Sequence, residues 1–136
     1  VKKNIGAIVH AGWQGTVKYI ACRTIEKMQN EYGCDTQNIL AGIGPSISVD
    51  HYEIQNSTAE VIRESFPNGS EKIIAQRDDK LFFDLWAANE LLLRRYPLKS
   101  IEIAGICTAC ELKDWYSHRA ENGKTGRFAA VLNIKP

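Results

Sequence analysis

The chain has 136 residues, 44% hydrophobic and 24% charged, with a formal net charge of +1. That size suits one domain around a single core, and the composition is that of a soluble globular protein. The near-zero charge, with its basic residues scattered, gives no field towards nucleic acid or membrane.

The longest apolar runs are a handful of residues, far short of the roughly 20 needed to cross a bilayer. Lys2-Lys3 leads into a short strand-like run with glycine and histidine, not into the apolar stretch of a signal peptide. The expected location is therefore cytoplasmic, with Cys22, Cys34, Cys107 and Cys110 as reduced thiols. The chain opens on Val1, and its only methionine is Met28. We read residues 1–136 as a single α/β domain, incomplete at its N-terminus, with a mixed sheet flanked by helices in one layered unit.

In chain order, Ile5 to Val9 predicts a buried strand ending at His10. Gly12, Trp13 and Gly15 then lead into a helix over Thr16 to Glu31, whose apolar positions share one face and which Gly33 stops. Asn38 to Ile43 predicts a second buried strand, so that strand, helix and strand form a right-handed crossover. His10 and the Gly44-Pro45-Ser46 loop then open onto one crevice at the carboxyl edge, where ligands collect in open α/β sheets. Ser57 to Glu60 has a capping-box pattern ahead of a short helix that Pro67-Asn68-Gly69 ends. Lys72 to Gln76 and Leu81 to Phe83 predict a hairpin turning at Arg77 to Lys80. Asp84 is placed to cap a buried helix over Leu85 to Tyr96, which Pro97 ends. Ile101 to Ala104 predicts another buried strand. Two strand-like runs, Trp115 to Arg119 and Arg127 to Leu132, flank an Asn122-Gly123 turn.

Several residues in this pattern could carry chemistry. His10 at a strand end is a general base, a metal ligand, an orienting donor, or a core histidine bonded to a carbonyl. Gly12 and Gly15 allow close approach, and the helix after them offers an N-terminus to an anion. Cys107-Thr108-Ala109-Cys110 has C-x-x-C spacing. It comes after a strand rather than opening a helix, which argues against a redox pair. It also lacks a second Cys or Cys/His pair in sequence, which argues against structural zinc. His51 could be a second imidazole for a metal but reads more readily as a surface residue, His118 is equally ambiguous, and Arg119 and Arg127 read as solvated arginines or as a guanidinium pair for an anion.

The series His10-Ala11-Gly12-Trp13-x-Gly15-Thr16, Gly42-Ile43-Gly44-Pro45-Ser46-Ile47, Tyr52-Glu53-Ile54, Asp84 to Asn89, Cys107-Thr108, Tyr116-Ser117-x-Arg119 and Gly126 to Ala130 resembles the YfiH-type laccase-domain family. That family is also named polyphenol oxidase and is described as purine nucleoside phosphorylases with adenosine deaminase activity. The resemblance implies a zinc centre, with copper also claimed, held by two histidines and a cysteine. His10 is the one ligand present. The others belong to Val-His-Gly and Ala-Asp-Cys stretches absent from this sequence, so the chain resembles the C-terminal half of the family's domain.

The resemblance further implies an enzyme of purine nucleosides and phosphate, completed by a preceding segment of the same domain. Gly12, Trp13, Gly15, Ser46, Arg119 and Arg127 are the expected substrate-binding residues, with no nucleic acid or membrane partner. The alternatives are a copper-dependent phenol oxidase and a non-catalytic remnant. A His10 imidazole that faces solvent, or is walled into the interior with no polar opening beside it, would overturn the enzymatic account.

Overall fold

The computed structural model describes residues 4–134. Its helices are α1 (Trp13–Val17), α2 (Ile20–Asn30), α3 (Asn56–Ser65) and α4 (Leu85–Leu93). Its strands are β1 (Leu40–Ile43), β2 (Glu53–Ile54), β3 (Ile74–Arg77), β4 (Lys80–Phe83) and β5 (Ser100–Ile103). The α/β expectation holds, with parallel and antiparallel pairing in two separate sheets. β1 runs parallel to β5, pairing Leu40 with Ser100 through Ile43 with Ile103. β4 lies between β2 and β3, antiparallel to both.

Two apolar clusters hold the elements together. Cys22, Ile62, Phe66, Ile73, Phe83, Leu85, Ala88 and Leu92 join α2, α3 and α4 to the antiparallel sheet. Ala21, Ile25, Ile39 and Leu93 form the second, against which Ala41, Ile43 and Ile101 of the parallel pair pack. Helices α2 and α4 contribute to both clusters from adjacent helical positions: Ala21 and Cys22 on one, Leu92 and Leu93 on the other. Asp84 caps α4 as expected, accepting the Ala87 N–H at 2.9 Å. Asp84→Ala is expected to lower the unfolding free energy by about 1 kcal/mol, read as a lower urea midpoint with unchanged slope.

The predicted hairpin is present, with Asp78 at its turn in the left-handed region (φ 51°). Gly33 ends the second helix at φ 61°, its N–H donating to the Gln29 carbonyl at 2.9 Å.

Four expectations are corrected. Ile5 to Val9 is not a strand: it is mostly exposed and has no strand partner among the described residues, so the crossover through it is absent and β1 pairs with β5 instead. The single helix after Gly15 is two helices. Tyr19 takes a left-handed conformation (φ 59°) between them, and its hydroxyl donates to the Ser65 carbonyl, tying the break to α3. The capping box does not form, because α3 begins at Asn56 after an uncapped Gln55, which places Ser57 inside the helix. The terminal hairpin is also absent. Asn122 and Gly123 have positive φ (52° and 79°), yet the flanking runs form no ladder. Glu121 instead accepts hydrogen bonds from the Ser117 N–H and the Thr125 hydroxyl, closing the segment on itself.

Candidate functional site

The His10 loop is built by small residues and one buried network. Gly12 caps α1 with extended backbone, and a Cβ there would lie 3.0 Å from His10 Nε2. A Cβ at Gly15 would lie 3.2 Å from the His10 carbonyl and 3.2 Å from Ile20 Cγ2. These glycines therefore let the imidazole and the loop backbone close onto α1. The close approach expected of a ligand is taken up by the chain itself. At five residues, α1 is too short to form an anion site.

Behind the loop, Thr16 is fully buried. Its hydroxyl donates to the Ala11 carbonyl at 3.2 Å and accepts from Asn89 Nδ2 at 3.0 Å. Asn89 Nδ2 also donates to the Leu85 carbonyl at 2.9 Å. The loop is thereby anchored to α4.

His10 itself is exposed. It belongs to no group of three metal-ligating side chains among the described residues. A zinc centre takes about three protein ligands, so the residues present do not hold one at His10, and the exposure of His10 meets the condition set against the enzymatic account.

Two expected binding residues share a groove. Trp13 and Arg119 line one groove of about 660 Å³ with Tyr52, Glu53, Asp79 and Lys80. The Arg119 guanidinium lies 5.2 Å from the Tyr52 ring centroid, and its Nη1 donates to the Glu53 carbonyl at 2.6 Å. Lys80 Nζ donates to Glu53 Oε2 at 2.8 Å. Burial pushes the Tyr52 hydroxyl above its ordinary pKa, with Arg119 pulling the other way. An apolar indole, a half-buried phenol and a fixed guanidinium with donors to spare suit a flat base beside a sugar or an anion.

The remaining expected residues lie elsewhere. Ser46 accepts from Trp86 Nε1 at 2.6 Å, and its backbone bridges Cys107. Arg127 donates to its own neighbours, the Thr125 and Gly126 carbonyls. The guanidinium pair is not assembled, because no hairpin brings Arg127 back to Arg119.

One grouping escapes the sequence. His51, Cys107 and Cys110 offer ligand atoms that all lie within 4.8 Å of one another. Burial raises the Cys107 thiol, but the Ser48 contacts and the N–H groups of Cys110 and Ala109 outweigh it and lower it to about 7. Cys110 is raised by its contact with Cys107 and by burial. The C-x-x-C spacing is a usable signal. The third member lies 59 residues away from Cys110, and only the parallel pairing of β1 with β5 locates it.

The chain joins an α/β fold of parallel and antiparallel sheets to a His10-Ala11-Gly12-Trp13 loop. Over residues 1–135 the chain matches the family of multi-copper polyphenol oxidoreductase laccases, and it belongs to that family. Among solved structures it is similar to the hypothetical protein YfiH of Bacillus licheniformis, with a TM-score of 0.80 and 30% identity over 87% of this chain and 45% of that one. It is 34% identical to a purine nucleoside phosphorylase of Bacteroides thetaiotaomicron, over 97% of this chain and 51% of that protein. It is 32% identical to the adenosine deaminase RL5 of an unknown prokaryotic organism, over 90% of this chain and 48% of that protein. The chain thus spans about half the length of the curated relatives it matches. No helix among the described residues is long and apolar enough to cross a membrane.

Proposed function

We propose that the protein acts on purine nucleosides, cleaving the glycosidic bond with phosphate and deaminating adenosine at the same centre. The observation that carries this reading is the groove that Trp13 and Arg119 line with Tyr52. Membership of the family and the names of the relatives support it. In this reading Trp13 walls the base, and Arg119 directs its remaining N–H donors at phosphate or ribose.

In this reading His10 would supply one ligand of a zinc centre whose other ligands the family draws from other segments. Since one imidazole cannot hold that ion, the role derived for this chain is confined to binding and orienting the nucleoside. A copper-loaded phenol oxidase is the second reading, favoured by the description of the matching family.

The test is to incubate the complete protein with adenosine or inosine, with and without phosphate, before and after His10→Ala. Phosphate-dependent release of the base, lost in the variant, is the expected result. Equal turnover by both proteins removes His10 from the mechanism. Oxygen uptake with phenols, and none of the phosphate-dependent reaction, transfers the case to the oxidase.

A further inference from the structure

We propose that His51, Cys107 and Cys110 form a three-ligand site for a thiophilic transition metal, Zn²⁺ foremost, at the carboxyl ends of β1 and β5. The site goes beyond the nucleoside reading and shares no residue with it.

Its framework is built by backbone pairing. The parallel ladder of β1 and β5 ends at Ile43 and Ile103. Beyond it, the Ser46 N–H donates to the Ile106 carbonyl at 3.2 Å and the Thr108 N–H donates to the Ser46 carbonyl at 3.1 Å. These bonds hold the two outgoing loops side by side. Each loop then turns tightly. The His51 N–H donates to the Ser48 carbonyl at 3.2 Å, and the Cys110 N–H donates to the Cys107 carbonyl at 3.1 Å. The first turn presents the imidazole and the second presents both sulfurs.

The geometry is close to that of a bound ion. His51 Nε2 lies 3.1 Å from Cys110 Sγ, and all three ligand atoms fall within 4.8 Å of one another. Tetrahedral zinc with ordinary Zn–S and Zn–N bonds spaces such atoms roughly 3.5–3.8 Å apart. His51 and Cys110 are exposed, so small side-chain rotations reach that spacing. Cys107 is the fixed member: it is buried, and its sulfur accepts the Ser48 N–H at 3.3 Å. An N–H on a ligating sulfur is the outer-shell contact that orients a thiolate for metal.

The donor set decides the class of ion. Two thiolates and an imidazole suit Zn²⁺ or Cu⁺ and not the hard ions Mg²⁺ or Ca²⁺, which take oxygen ligands. Both thiols release their protons to solvent as the metal binds. The exposed side, between His51 and Cys110, leaves the fourth position to water, so the ion is exchangeable.

Cobalt(II), a spectroscopic stand-in for zinc, is the probe. It is titrated into the reduced, metal-free 136-residue chain, in which His10 is the one family ligand present, with zinc as competitor. One equivalent is expected to give a thiolate-to-cobalt absorption band and intense tetrahedral d–d bands, both erased by one equivalent of zinc. Cys110→Ser and His51→Gln change exposed side chains, and circular dichroism verifies that they fold. Each is expected to weaken the apparent affinity by at least about 100-fold. His10→Ala is expected to leave the bands unchanged, which separates this site from the nucleoside reading. Absence of the thiolate band overturns the proposal. So does a band that survives both Cys110→Ser and His51→Gln, or one that disappears with His10→Ala.

Discussion

Replacing Phe83 by alanine is expected to lower the unfolding free energy by about 3–5 kcal/mol. Phe83 is fully buried at the end of β4, the middle strand of the antiparallel sheet. Its ring belongs to the cluster that includes Ile62, Phe66, Ile73 and Leu92, and it lies 5.9 Å from the Tyr52 ring, centroid to centroid. Its N–H also donates to the Tyr52 carbonyl at 2.9 Å. That backbone bond survives the substitution, so the loss is one of packing. Neighbours drawn from three helices and a sheet cannot collapse together into the space, and a cavity remains. Against a total stability of about 5–15 kcal/mol for an ordinary domain, this is a large share. Urea denaturation checks it: the midpoint falls while the slope holds. A loss below about 1 kcal/mol would mean that the ring is not packed as described.

Thr16→Val carries the second largest effect, about 1–3 kcal/mol. The change is close to isosteric, so the core volume is kept. What disappears is the hydroxyl between the Ala11 carbonyl and Asn89 Nδ2. An amide hydrogen is then left in the interior without its acceptor, which costs more than a typical hydrogen bond contributes. The double variant Thr16→Val/Asn89→Leu is expected to recover part of the loss, because both partners are then apolar. Comparison with Asn89→Leu alone completes a double-mutant cycle and gives the coupling. Additive losses would show that the two side chains do not depend on each other. The same variant loosens the Ala11 carbonyl beside His10, so Thr16 reaches the candidate site through the backbone.

Most local signals in the sequence stand as read, the capping box at Ser57 to Glu60 excepted. Asp84 as a cap, Gly33 as a stop and the Asp78-Asp79 turn each act within a few residues of themselves, and each stands where expected. Features that depend on distant partners are not legible in the same way. The apolar run Ile5 to Val9 looks like a strand, but a strand needs a neighbour to pair with, and the described residues supply none. Nothing in the pattern after Gly15 announces the left-handed Tyr19; that break is fixed by a contact with Ser65, far along the chain. Asn122-Gly123 has turn chemistry and turn dihedrals, but Glu121 draws its own neighbours inward and the flanking runs do not pair. At the candidate site, Trp13 and Arg119 line one groove although Arg119 reads in the sequence as a solvated arginine, while His51 reads there as a surface residue more readily than as a metal imidazole. Its exposure is legible; its proximity to Cys110 is not, because that depends on a pairing that sequence spacing does not encode.

The parallel pairing of β1 with β5 also bears on the order in which the molecule assembles. Leu40 and Ser100 must find each other across the whole of α3, the hairpin and α4. Closing so long a loop is entropically unfavourable until its contacts form, whereas β3 and β4 meet across a two-residue turn. The hairpin is therefore expected to form early and the parallel ladder late. His51 reaches Cys110, and Thr16 reaches Asn89, across similarly long separations of 59 and 73 residues. The candidate groupings are thus expected to assemble late in folding, and a chain caught earlier presents Cys107 and Cys110 without the His51 imidazole beside them.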